Sequence, residues 1–208
     1  MKFITFLLYC LLLASSYASN ATQLLREPTL NNNLLVFTYA NDIWKVSLQG
    51  GNATRITSFQ GQESSPKISP DGKWIAFTGE YNGNSDVYIV SSSGGEVKRL
   101  TYHPGNDISV GWSPDSKRVL FNTGRNNAPR GWQRLYTIDR DGGNPTLLPM
   151  NRAYSGSYSP DGKQLVFRRA GFWDKGWRNY RGGQNQALRV IKLDDMEEYD
   201  LPFDNDFD

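Results

Sequence analysis

A single phrase recurs through this chain and limits what it can fold into. Ser69-Pro70-Asp71-Gly72-Lys73 returns as Ser113-Pro114-Asp115-Ser116-Lys117 and as Ser159-Pro160-Asp161-Gly162-Lys163, at spacings of 44 and 46 residues. Such a period describes one supersecondary unit that cannot bury its apolar surface alone and must stack on copies of itself. Its length fits a four-stranded propeller blade.

The residues around the phrase fill in the unit. Each repeat is followed at once by a short apolar run: Trp74-Ile75-Ala76-Phe77, Val119-Leu120-Phe121 and Leu165-Val166-Phe167. A second run follows each: Asp86 to Val90, Arg134 to Ile138 and Ala187 to Ile191. Gly94-Gly95 and Gly142-Gly143 then turn the chain towards a short last strand such as Lys98 to Thr101. The first unit lacks the phrase but keeps the order. Leu34 to Phe37 is its second strand, Asp42 to Val46 its third, Gly50-Gly51 its turn and Arg55 to Thr57 its edge. Short β-branched and aromatic runs between turn signals predict an all-β chain. After residue 20 no stretch has sustained helical periodicity with caps. Proline presets φ at the second position of a type I turn, and aspartate and glycine suit the next two. Ser116 in place of glycine is expected to be tolerated there. The glycine pairs are expected to supply positive φ in hairpins.

Four units are expected, at roughly 28–68, 69–112, 113–158 and 159–208. Leu100 precedes Pro114 by 14 residues and Leu148 precedes Pro160 by 12, so Leu201 calls for another turn proline near 213–215, past the last residue of the sequence. The expectation is therefore an incomplete portion of a six-bladed propeller. Unpaired blade faces would then invite homo-oligomers.

The start reads as an export signal. Lys2 precedes the apolar run Phe3 to Leu13, and small residues end at Ala18, where cleavage is expected, leaving residues 24–208 for the propeller. The run is short for a permanent membrane span, so no stable insertion is expected. Tyr9 before Cys10 argues against a lipid anchor. Removal of the signal would leave no cysteine, hence neither disulfides nor thiol chemistry. A periplasmic or secreted protein is the expectation.

Net charge is +2, which implies no nucleic-acid partner. Locally the end is polarised. Arg168, Arg169, Lys175, Arg178, Arg181, Arg189 and Lys192 meet only Asp174, and Asp194 to Asp208 is acidic with no base. Charge runs of this kind read first as solvated surface.

Catalytic groups are scarce. His103 is the one histidine, and no Gly-x-Ser-x-Gly elbow occurs. A chain without an activated nucleophile is expected to be no enzyme, to hold no metal and to need no cofactor. Asp139 to Gly142 and Asp204 to Asp208 are only fragments of a calcium loop. The blade pattern leaves one stretch unexplained: the loop Phe172 to Gly183, rich in tryptophan and arginine. Trp173, Trp177, Tyr180 and Arg181 are the candidate peptide-binding or docking residues. Such side chains suit a recognition surface, or equally a packed contact within a larger protein.

The Ser-Pro-Asp-Gly units resemble the WD40-like PD40 repeats of TolB, of prolyl-oligopeptidase propellers and of tricorn-type peptidases. Trp177-Arg178-Asn179-Tyr180-Arg181-Gly182-Gly183, and the opening with Pro28, Leu34 to Phe37 and Asn41 to Trp44, resemble the tricorn amino-terminal propeller. The resemblance implies a non-catalytic propeller segment of an exported serine peptidase that guides peptides or docks the catalytic part. Its partners would be peptides or the peptidase's remaining domains. The catalytic serine and histidine of that family would lie beyond residue 208. The alternative is a stand-alone TolB-like protein-binding propeller of the cell envelope. A self-contained hydrolase is a third reading, disfavoured by the lone His103.

Overall fold

The computed structural model describes residues 24–126, 132–169, 171 and 188–201. They form sixteen strands in four antiparallel sheets of four. The first holds β1 (Arg26–Leu30), β2 (Leu34–Tyr39), β3 (Asp42–Ser47) and β4 (Thr54–Arg55). The second holds β5 (Gln62–Ile68), β6 (Trp74–Glu80), β7 (Asp86–Ser91) and β8 (Lys98–Arg99). The third holds β9 (Asp107–Trp112), β10 (Arg118–Thr123), β11 (Arg134–Asp139) and β12 (Thr146–Leu147). The fourth holds β13 (Ser155–Tyr158), β14 (Gln164–Arg168), β15 (Arg189–Lys192) and β16 (Glu198–Asp200). Each sheet takes its strands in chain order.

The strands named from sequence fall second, third and fourth in each sheet. The first strand of each later sheet comes before its Ser-Pro-Asp turn. The sheets are therefore offset by one strand from the units 69–112, 113–158 and 159–208.

First strands of adjacent sheets lie against one another, β1 on β5, β5 on β9 and β9 on β13. Close contact of first strands but not of the short last ones makes each sheet a radial blade with its first strand inside. The arc is an unclosed β-propeller.

Alternation along the second strands explains how the blades stack. Ile75 and Phe77 point back to Val36 and Ile43 of the first blade, while Ala76 points forward to Trp112, Val119 and Phe121 of the third. Leu120, one residue along from Val119, points forward again, onto Leu165 and Phe167 of the fourth. A middle blade is covered on both faces, so its central strands read as continuous apolar runs rather than alternating ones. Burying each large side chain stabilises by about 1.5–3 kcal/mol.

Inner strands are less regular. The β1–β2 and β5–β6 ladders shift register beside Glu27-Pro28 and Ser65-Pro66, where Glu27 and Ser65 have φ of 53° and 51°. Proline cannot donate to a ladder and sits at such bulges. The Glu27 carboxylate uses the irregularity: it accepts from the Ser65 amide at 2.7 Å and ties blade one to blade two.

Candidate functional site

The two ends of the blades carry different chemistry. At one end lie the turns between strands one and two and between strands three and four. Ser69, Ser113 and Ser159 carbonyls accept from Gly72, Ser116 and Gly162 amides at 2.8, 2.9 and 2.9 Å. Their hydroxyls donate to Asp71, Asp115 and Asp161 at 2.5, 2.6 and 2.5 Å, and each carboxylate also accepts the amide of the following lysine. Burial pushes the Asp71 carboxyl up, but the Ser69 hydroxyl and the Lys73 amide outweigh it and hold it below its usual range. Serine and lysine-amide bonds lower Asp115 and Asp161 in the same way.

The fourth residue of these turns is left-handed: φ is 72° at Gly72, 60° at Ser116 and 73° at Gly162. Ser116 is thus strained rather than freely tolerated as expected from sequence. Its hydroxyl has a use, accepting the Asp71 amide of the neighbouring blade at 3.0 Å. The glycine pairs do supply positive φ, 90° and 120° at Gly94-Gly95 and 101° and 106° at Gly142-Gly143.

At the other end lie the connections between strands two and three and the linkers to the next blade. Glu63, wholly buried, sits there between blades one and two. Its carboxylate accepts from the Ile43 amide at 3.1 Å and from the Thr57 and Tyr81 hydroxyls. Burial raises its carboxyl above the usual range despite these bonds. The same place between blades two and three holds Asp107, raised by burial and ion-paired with Arg125. Beside it Asp86 takes Arg99 at 2.6 Å and Thr101 at 3.1 Å. Thr101 accepts the Val87 amide as Thr57 accepts that of Ile43. The spacing Thr57-x5-Glu63 and Thr101-x5-Asp107 is a polar repeat that marks these seams in the sequence, and the turn-based reading passed over it.

The third seam changes sign. Pro149 and Ser155 stand where Thr101 and Asp107 stood, and Arg134 opens β11 where Asp86 opens β7. Arg134 donates to the Met150 carbonyl at 3.4 Å. The Arg152 guanidinium lies 5.0 Å from the Trp132 ring, and that of Arg168 lies 5.3 Å from Tyr154 and donates to Ser155 at 2.8 Å. A groove of about 240 Å³ lies along the fourth blade at this end, mostly on the face turned away from the third blade, with Val110 of the third blade at its edge. Val110, Gly156, Val166, Phe167 and Leu188 make it apolar, with Ser155 and Arg168 beside them.

Trp173, Trp177, Tyr180 and Arg181 lie outside the described residues, as do residues 1–23, where an export signal is expected, and the acidic residues after Leu201. β14 ends and β15 begins at this arginine-rich end. His103 serves its own linker: Nδ1 accepts the Gly105 amide at 2.9 Å, and its carbonyl accepts from Asn84. Among the described residues no cluster of three metal-ligating side chains occurs, and no helix is long and apolar enough to cross a membrane.

Radial four-stranded sheets joined in chain order, with apolar seams, define the β-propeller class. Within it the chain belongs to the tricorn protease N-terminal β-propeller domain family, whose sequence profile matches residues 22–208. It is 32% identical over 177 residues to tricorn protease homolog 1 of Streptomyces coelicolor, covering 83% of this chain and 16% of that one. The crystal structure of the tricorn protease superposes with a TM-score of 0.73 at 24% identity, over 86% of this chain and 18% of that one. TolB from Acinetobacter baumannii gives 0.68 at 24% identity, over 86% and 43%. At that identity the two structures speak for the fold. The chain spans less than a fifth of the length of the Streptomyces relative.

Proposed function

We propose that this chain is the non-catalytic amino-terminal propeller segment of an exported tricorn-like serine peptidase, where it receives peptides or docks the catalytic part. The observation that carries the reading is the family match across residues 22–208. The groove beside Phe167 and Leu188 supports it, being an apolar cleft with polar groups at its edge. It opens at the end where β14 finishes and β15 begins, and Trp173, Trp177, Tyr180 and Arg181 stand between those strands in the sequence. In this role the arc supplies a surface and a path, and the bond-breaking groups belong to another part of the peptidase.

The test is made on the purified chain with fluorogenic di- to tetrapeptides, with and without a serine-directed inhibitor. Peptide binding without inhibitor-sensitive turnover is the expected result. Inhibitor-sensitive turnover that follows the chain through every purification step would make it an enzyme in its own right and overturn the reading.

A further inference from the structure

We infer that the loop end of the third and fourth blades is a docking surface for acidic polypeptide, recognising side-chain carboxylates set beside an apolar residue. This rests on the peptide-receiving reading and names the peptide class.

The argument starts from charge. Arg125, Arg134, Arg152, Arg168, Arg169 and Arg189 gather at this end of the two blades. Asp107 takes Arg125, while Glu198 and Asp200 take Arg189 at 3.0 and 2.6 Å. Among the described residues Arg134, Arg152 and Arg169 meet no carboxylate. Backbone bonds hold them together: the Ala153 amide donates to the Gln133 carbonyl at 3.0 Å and the Tyr154 amide to the Arg168 carbonyl at 2.8 Å. A strip therefore runs from Arg134 through Arg152 to Arg169 along one rim. The first two seams hold buried carboxylates in the same place, so the excess of cations is confined to this part of the arc.

Geometry adds specificity. An arginine stacked on a ring keeps the edge of its guanidinium open, and that edge fits a carboxylate with two parallel hydrogen bonds. Arg152 on Trp132 is held in this way. The groove along the fourth blade, lined by Val166 and Leu188 with Arg168 at its rim, adjoins the strip where the Tyr154 amide bonds the Arg168 carbonyl, and has room for an aliphatic side chain. Aromatic and arginine groups around an apolar pocket are the usual anchors of an interface.

The experiment uses the chain itself and fluorescein-labelled octapeptides of leucine and glutamate, capped at both ends so that only side chains carry charge. Binding is read by anisotropy, beside the same peptide with glutamine for glutamate, one with lysine, and an oligothymidylate. The glutamate peptide should bind best and weaken as salt is raised. Arg152→Glu with Arg169→Glu should weaken it about tenfold or more, since like charges now face the ligand. Lys73→Glu with Lys163→Glu at the opposite end makes the same change in net charge and should leave binding within about twofold, because screening limits its reach. Circular dichroism and Arg152→Gln with Arg169→Gln guard against misfolding, and the glutamine pair should also weaken binding. Equal binding of the glutamine or lysine peptide, equal loss from the lysine reversals, or tighter binding of the oligothymidylate would overturn the inference. Should no peptide bind at all, the peptide-receiving reading falls with it; should all peptides bind alike, only the acidic preference falls.

Discussion

Ser116 shows how one residue can be both strained and useful. The turn demands a left-handed residue there, and serine meets the demand at a cost of about 1–2 kcal/mol. Its hydroxyl returns part of that by capping the Asp71 amide across the seam. Ser116→Ala keeps the strain and loses the bond, and should lower stability by about 1 kcal/mol in urea unfolding. Ser116→Gly loses the same bond but relieves the strain, so its midpoint should stay near that of the unaltered chain. Glu63 gives a second residue-scale expectation, with the sign fixed by burial. Its carboxyl is raised in the fold, so the folded state holds the proton more tightly than the unfolded one. Stability from this group is then present below the usual carboxylate range and is lost as pH rises through the raised value. The thermal midpoint of the unaltered chain minus that of Glu63→Gln should therefore shrink as pH rises from 4 towards neutrality. Asp71, Asp115 and Asp161 act with the opposite sign: their contribution is present at neutral pH and lost on acidification.

At the scale of elements, each blade depends on its second strand, which serves two seams at once. Phe121 is fully buried and stacks near Tyr136 with ring centroids 5.8 Å apart. Phe121→Ala should cost about 3–5 kcal/mol, measured by urea unfolding, because the space it fills is closed on both sides by rigid strands. The inner strand of the fourth blade is limited by space instead. A Cβ on Gly156 would lie 2.8 Å from the Val166 carbonyl oxygen and 2.8 Å from Leu165. That oxygen belongs to the paired strand and cannot move aside alone. Gly156→Ala should cost about 1–3 kcal/mol and speed amide exchange in β13 and β14 before the other blades.

For the whole molecule, order along the arc decides how damage spreads. Each blade touches its neighbours and no others, so stability is close to a sum of blades and seams. Ile43→Ala in the first seam and Ile191→Ala in the third should add within about 0.5 kcal/mol in a double-mutant cycle. Ile43→Ala with Ile75→Ala, which share a seam, should depart from additivity by more than that. The proposed export is tested on the whole-chain scale as well. Residues 1–23 fused to a leaderless alkaline phosphatase should give an active enzyme in a bacterial host, as that enzyme needs an oxidising compartment for its disulfides.

Much of the architecture was determined by the sequence alone. The Ser-Pro-Asp turns and glycine pairs impose their geometry through φ restrictions that act over four residues, and the apolar runs after them need cover on both faces. Local rules of that kind survive in a string of letters, so second, third and fourth strands were readable. First strands were not: Gln62 to Ile68 and Ser155 to Tyr158 are polar, bulged, and strands chiefly because they line the inside of the arc. The site was less legible still. The Ile43 amide of the first blade reaches Glu63 of the second across 20 positions, and the Trp112 ring nitrogen of the third reaches the Lys67 carbonyl of the second across 45. Which carboxylate is buried, which arginine finds a ring and where the groove opens depend on how blades stack. Stacking joins residues a whole blade apart, and only the tertiary structure brings those charges and cavities together.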